Sequence, residues 1–204
     1  MTKNQETRKM AVDMEIRKAD LDAQDENLTV TGYAVVFNKP AVMWHDPYDD
    51  TNYYEVIDEK ALDEADLSDV VMRYNHNDSS EILARTSNQT LNLIKDDSGL
   101  KIIAQLANTS FGRDVYELIK RKDISQMSFA FTVPYDGEDY DENTHTRRIT
   151  KIDKVYDVSA VDVPAYDGTS IEAMARGVKH AAEEYKKEAE MRKRIQILTG
   201  GTEK

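Results

Sequence analysis

Residues 28–37 read LTVTGYAVVF, a run in which β-branched and aromatic side chains fall on both parities, with Gly32 in the middle. A strand at a surface alternates apolar and polar residues, whereas a run apolar on both parities is covered on both faces. The stretch therefore predicts a central strand of a barrel or sheet, bent or bulged at the glycine.

The neighbouring segments extend the same pattern. Upstream, Met14–Ile16 is a short alternating piece of strand. Downstream, residues 38–52 (NKPAVMWHDPYDDTN), with Pro40 and Pro47 among Asp and Asn, read as a long surface loop. Glu59–Leu67 places Ala61, Leu62 and Ala65 at near-helical spacing behind Asp58, a suitable N-cap, and predicts a short helix. Val70–Tyr74 is a compact apolar strand that runs into Asn75-His76-Asn77-Asp78. Thr90–Ile94 and Leu100–Leu106 flank the turn Lys95–Gly99 and predict a hairpin. In Thr109–Lys122, Phe111, Val115, Leu118 and Ile119 share one helical face, with Thr109 or Ser110 as cap. Ser128–Val133 alternates as a strand, Pro134–His145 reads as an acidic turn or flexible loop, and Arg147–Val155 is expected back as its partner strand. Val158–Val163 is one further strand, stopped by Pro164. Beyond Gly168 the chain turns rich in Ala, Glu, Lys and Arg, which predicts a domain over residues 1–170 and a charged helical tail over 171–204.

The 204 residues, 40% hydrophobic and 32% charged, suit a globular domain with an appendage and exclude collagen-like, mucin-like and wholly disordered classes. No apolar run reaches the roughly 18 residues that span a bilayer, and the N-terminus has no apolar signal core, so no membrane partner and no export is expected. The absence of cysteine removes disulfide frameworks, thiolate nucleophiles and zinc–thiolate sites. A net charge of −12 repels nucleic acid, which is therefore not an expected partner. The charge is uneven: Val178–Leu198 carries six basic and four acidic residues, which leaves −14 on the remainder.

Four histidines are present. His45 and His145 sit in loops and His180 in the tail, where a solvated or structural imidazole is the ordinary reading. His76 differs, because it follows an apolar strand and opens a stretch of small polar residues that could orient it while leaving it accessible. Ser128 lies between Met127 and Phe129 at the start of an apolar strand. A serine hydroxyl becomes a nucleophile when an imidazole takes its proton, and the imidazole in turn needs an acceptor on its other nitrogen. Asp157 is a candidate for that acceptor. His45-Asp46 with Asp49 and Asp50 offers a weak metal-ligand set in a single loop, so no metal is expected. GxGxxG, GxxxxGK[ST] and GxSxG are all missing, so no nucleotide cofactor or α/β-hydrolase elbow is expected.

Taken in order, GYAVVFNKP (32–40), RYNHN (73–77), MSFAF (127–131) and DVSAVDVPAY (157–166) resemble the prohead maturation protease family of tailed phages, over roughly residues 12–170. The resemblance implies a serine protease with a fold like the herpesvirus assemblins. That fold is α+β or mainly β: a closed antiparallel barrel of about six to seven strands with flanking helices, here followed by a C-terminal helix. It assigns His76 as general base and then general acid, Ser128 as nucleophile and Asp157 as third member, with Glu172 and Asp162 the other acids open to that role. Arg148 is a candidate helper of an oxyanion hole. The implied activity is cleavage of scaffold segments from the major capsid protein, and of the protease itself, inside the procapsid in the host cytoplasm. The implied partners are the capsid protein with its scaffold segment and a second copy in a homodimer. The rival readings are a non-enzymatic capsid assembly or scaffolding protein on the same barrel, and a β-barrel module for a small ligand.

Overall fold

The computed structural model describes residues 6–10, 14–16, 28–77 and 81–162, with positions 187 and 191 in the tail. Five strands form one sheet: β1 (Glu6–Met10), β10 (Gln126–Thr132), β13 (Lys154–Val161), β6 (Val71–Tyr74) and β7 (Ala84–Arg85), in that spatial order. A second sheet has the order β2 (Glu15–Ile16), β3 (Thr29–Val36), β9 (Gly99–Gln105) and β8 (Leu91–Lys95). The third has the order β11 (Glu138–Asp141), β12 (Thr146–Ile149), β5 (Thr51–Ile57) and β4 (Ala41–Asp46). The one helix among the described elements is α1 (Ser110–Lys120).

The stretch at 28–37 is a central strand, as its two apolar faces require. β3 lies between β2 and β9, and its register shifts between Tyr33 and Val35, just past Gly32. The glycine serves a close approach: a Cβ there would stand 3.2 Å from Met127 Sδ and 3.3 Å from Met14 Cγ. It thus lets β3 settle against the side chains of β10. The hairpin β8–β9 and the helix α1 also form where the pattern places them. Thr109 caps α1, its Oγ1 accepting the Gly112 N–H at 3.0 Å, while Val115, Tyr116 and Ile119 are buried beneath it.

The closed antiparallel barrel of six to seven strands is not what the chain forms. Among the described residues, thirteen strands make three open sheets, and two pairings are parallel, β12 with β5 and β13 with β6. The ladders stop because the strands are short and bulged, with register shifts at Tyr33/Val35, Val42/Trp44 and Ala130/Phe131. Isolated backbone bonds link neighbouring sheets instead: Asn38 N–H to Ile57 O (2.8 Å) and Ala107 N–H to Leu83 O (2.8 Å). Closure is made by side chains. One continuous core draws Val30, Leu100 and Ile102 from the second sheet, Met72, Phe129 and Val158 from the first, and Ile57 and Ile149 from the third.

Four local expectations are also corrected. Residues 59–67 form turns, not a helix: Asp58 Oδ1 accepts the Lys60 N–H at 3.0 Å, and Ala61 and Asp63 close four-residue turns on Asp58 and Lys60. Two nearly buried side chains, Ala61 and Leu62, satisfy the apolar spacing without a second helical turn. The supposed loop 38–52 contains β4, which pairs antiparallel with β5, and the tilted contact between the Trp44 and Tyr53 rings (4.8 Å) covers that ladder. The acidic loop 134–145 contains β11, and β10 takes β13 as its partner, not residues 147–155 as a unit. Among the described elements the flanking helices are reduced to α1. The C-terminal helix expected over 171–204, like the domain boundary near 170, falls outside the described residues apart from positions 187 and 191.

Arg147 ties the sheets together by charge. Its guanidinium, almost wholly buried on β12, donates to Glu6 of β1 (2.7 Å), Glu55 of β5 (2.8 Å) and Glu138 of β11. Burial works against this charge, but Glu55, Glu6 and Glu138 outweigh it and hold the guanidinium pKa above the usual arginine value.

Candidate active site

The first sheet places the candidate residues by register. Ser128 of β10 lies opposite Ser159 of β13, and Ser159 lies beside Arg73 of β6, so all three point from one face. Asp157, two residues before Ser159, shares that face by the period of a strand. His76 comes from the turn that leaves β6. Asn75 and His76 have φ of 53° and 52°, two consecutive residues in the left-handed region, which Asn and His enter more readily than most.

That turn is held from several sides. Asn75 N–H donates to Ala160 O (3.0 Å), Asn77 N–H to Tyr74 O (3.1 Å), Arg73 Nη1 to Asn77 O (3.2 Å), and Asp162 N–H to Asn75 Oδ1 (3.3 Å). Tyr74 Oη donates to Asp162 at 2.6 Å; this bond, followed by burial, raises the phenol pKa above its ordinary value.

The result is a continuous chain of hydrogen bonds. Asp157 Oδ1 lies 2.6 Å from His76 Nδ1, and His76 Nε2 lies 2.5 Å from Ser128 Oγ. An ionised carboxylate only accepts, so Nδ1 carries the imidazole proton and the Nε2 lone pair faces the serine hydroxyl. Such an arrangement can draw the proton from Ser128 Oγ as that oxygen attacks an electrophilic carbon. The Ser159 hydroxyl adds a second donor to Asp157 Oδ1 (2.9 Å) and accepts the His76 backbone N–H (3.3 Å). The pattern Asp-x-Ser in 157–159 was the available sequence signal for Ser159, since i and i+2 of a strand share a face.

The site is covered. Ser128 has 0% of its surface exposed, and the side chains of His76 and Asp157 keep 16% and 10%.

The remaining candidates go elsewhere. Asp162 bonds Tyr74 and the Asn75 turn, whereas Glu172 lies outside the described residues, as does His180. Arg148 lies on β12 in the third sheet, its guanidinium on Asn38 and Asp58. His45 bonds Asn52 (3.0 Å), while Asp46 and Asp49 accept backbone N–H groups of their own turn. Among the described residues no group of three or more His, Asp or Glu could hold a metal. A groove of about 580 Å³ on the third sheet, lined by Pro40, Tyr54, Tyr140 and Arg148 among others, contains none of the chain Ser128–His76–Asp157.

A hydroxyl, an imidazole and a carboxylate in hydrogen-bonded series on neighbouring strands are the equipment of a serine hydrolase. Residues 12–184 match the caudovirus prohead serine protease family, and the chain belongs to that family. It is a serine protease of phage capsid maturation, whose partner is a capsid component and whose place is the procapsid within the host cell. Searches of curated proteins and of solved structures found no match. No helix among the described residues is long and apolar enough to cross a membrane.

Proposed function

We propose that the chain cleaves the scaffold segment of the major capsid protein, and its own chain, through an acyl-enzyme on Ser128. The observation that carries the reading is the series Asp157–His76–Ser128, with separations of 2.6 and 2.5 Å. In the first half-reaction Ser128 Oγ attacks the scissile carbonyl carbon while its proton passes to His76 Nε2. The same nitrogen then returns that proton to the departing amine, and the C–N bond breaks to leave an ester on Ser128. Water next enters along the same line, giving a proton to His76 and its oxygen to the acyl carbon. The ester C–O bond breaks, the proton returns to Ser128 Oγ and the acid product leaves. Asp157 holds the tautomer and stabilises the imidazolium formed between these steps.

A second copy packed in a homodimer is part of the proposal. The test is co-expression of the capsid protein with the wild-type chain or with Ser128→Ala, read by intact-mass spectrometry. Defined cuts in capsid protein and protease with the wild type, and none with Ser128→Ala, are expected. Equal processing by both chains would refute the assignment.

A further inference from the structure

We infer that Ser159 is a positioning residue of this site, its single hydroxyl ordering both the carboxylate and the imidazole-bearing turn. The inference rests on the protease reading above and deepens it. Its basis is the proton inventory. A serine hydroxyl has one proton to give and two lone pairs to receive with. The Ser159 proton goes to Asp157 Oδ1 at 2.9 Å, and Oγ receives the His76 N–H at 3.3 Å. Its third neighbour, His76 Nδ1 at 3.3 Å, already donates along the shorter 2.6 Å line to the same carboxylate oxygen.

Two consequences follow. With two donors on one oxygen, the carboxylate is fixed against rotation about its Cβ–Cγ bond. The partner of Nδ1–H therefore stays an acceptor in one direction, which keeps the Nε2 lone pair on Ser128. The bond to the His76 amide also anchors the second of two left-handed residues, a backbone state that survives only where its surroundings hold it. Ser159 thus acts on both ends of the Asp157–His76 bond from a strand whose register sets it opposite Ser128.

A serine that merely filled space in a buried strand would need no such contacts. Thr132, on the adjoining strand and also buried, keeps its hydroxyl without a hydrogen-bond partner among the described residues. Burial on these strands therefore does not by itself force a hydroxyl into bonds with particular neighbours.

The experiment uses the full chain as wild type, Ser159→Ala and Ser159→Cys, the last keeping the size with a weaker donor. Two readouts are taken from each sample. The first is the downfield proton resonance of imidazole Nδ1–H, assigned by its loss in His76→Gln. The second is the rate at which a small fluorophosphonate labels Ser128, mapped by mass spectrometry. A hydrogen bond to a charged group contributes about 1.5–3 kcal/mol, so the labelling rate should fall roughly ten- to a hundredfold in Ser159→Ala, with Ser159→Cys in between. The resonance should broaden or move in the same order. Wild-type values of either readout in a folded Ser159→Ala would overturn the inference. If that variant does not fold, Ser159→Cys decides alone, and an unchanged rate or resonance there overturns it equally. Absence of labelling in the wild type would instead overturn the protease reading, a distinct failure because the resonance is recorded without reagent.

Discussion

Replacing Asp157 by Asn removes one charge and almost no volume, so it isolates what the carboxylate does. In the native site Asp157 Oδ1 receives the His76 Nδ1–H at 2.6 Å and the Ser159 hydroxyl at 2.9 Å. An asparagine has one acceptor oxygen and one NH₂ group at that place. If the NH₂ turns to the ring, Nδ1 must accept and the imidazole proton moves to Nε2, where it faces Ser128 Oγ at 2.5 Å and leaves that hydroxyl without a base. If the amide oxygen turns to the ring instead, the tautomer survives but the imidazolium forms beside a neutral group in a nearly buried site. Both arrangements weaken the step that creates charge on His76. In serine peptidases built on this template the exchange lowers kcat by about 10⁴, or roughly 5 kcal/mol of barrier. Capsid protein co-expressed with Asp157→Asn should remain uncut over times in which the wild type finishes, as read by intact mass, while the circular-dichroism melt stays close to that of the wild type. Cleavage within about tenfold of the wild-type rate, from a folded variant, would show that Asp157 is not the group that orients His76.

Two further outcomes test the frame. Arg147→Met leaves Glu55 and its fellow carboxylates buried without their cation, which should cost about 3–5 kcal/mol and lower the melting temperature by roughly 6–20 °C, with much of the loss regained when Glu55→Gln is added; a melt unchanged by Arg147→Met would refute the cluster as a structural tie. Lys154 holds the carboxyl of Asp66 below the usual range, Arg85 that of Asp69, Tyr33 that of Asp96 and Lys151 that of Asp136. A depressed folded-state value stabilises above the unfolded pKa, near 3.9, and that stability is lost as pH falls through the folded values. Melting temperature should therefore drop steeply below about pH 4, and less so in Asp66→Asn; a flat profile from pH 5 to 2 would refute this.

The parts of the fold that could be read from the chain are those whose signal is local and unopposed. Residues 28–37 announce a doubly covered strand because both parities are apolar, and α1 announces itself because its apolar face and its Thr109 cap agree. Residues 59–67 carry the same kind of spacing over about two turns, and there the cost of nucleating a helix is not recovered. Asp58 and Lys60 satisfy the backbone with turns instead. β4 is hidden because Pro40 and Pro47 bracket it, although Trp44 and Met43 lie between them. Pairing is hidden for another reason: which strand lies beside β6 is decided by Val71 and Asp157, far apart in the chain, and no short window contains both. The three candidate residues are suggested by a strand end, a serine in an apolar strand and a family likeness. Ser159 has only the Asp-x-Ser spacing as a cue, and the acids around Arg147 have none, since Glu6, Glu55 and Glu138 come from separate segments.

The register explains why the site needs a strained turn at all. Ser128, Ser159 and Arg73 stand in one row on one face of the sheet, and Met127, Ala160 and Tyr74 stand in the next row on the opposite face. Had β6 simply continued as a strand, period two would have placed residue 76 with residue 74, on the face away from Ser128. The left-handed pair at Asn75 and His76 breaks that alternation and returns the imidazole to the face of the serine. The strain is therefore tied to the chemistry, and the bonds from Ala160, Ser159 and Asp162 are what keep the turn from relaxing into a longer β6. The strand that supplies Asp157 thus also supplies the partners that hold His76, so one element sets both the position and the orientation of the proposed base.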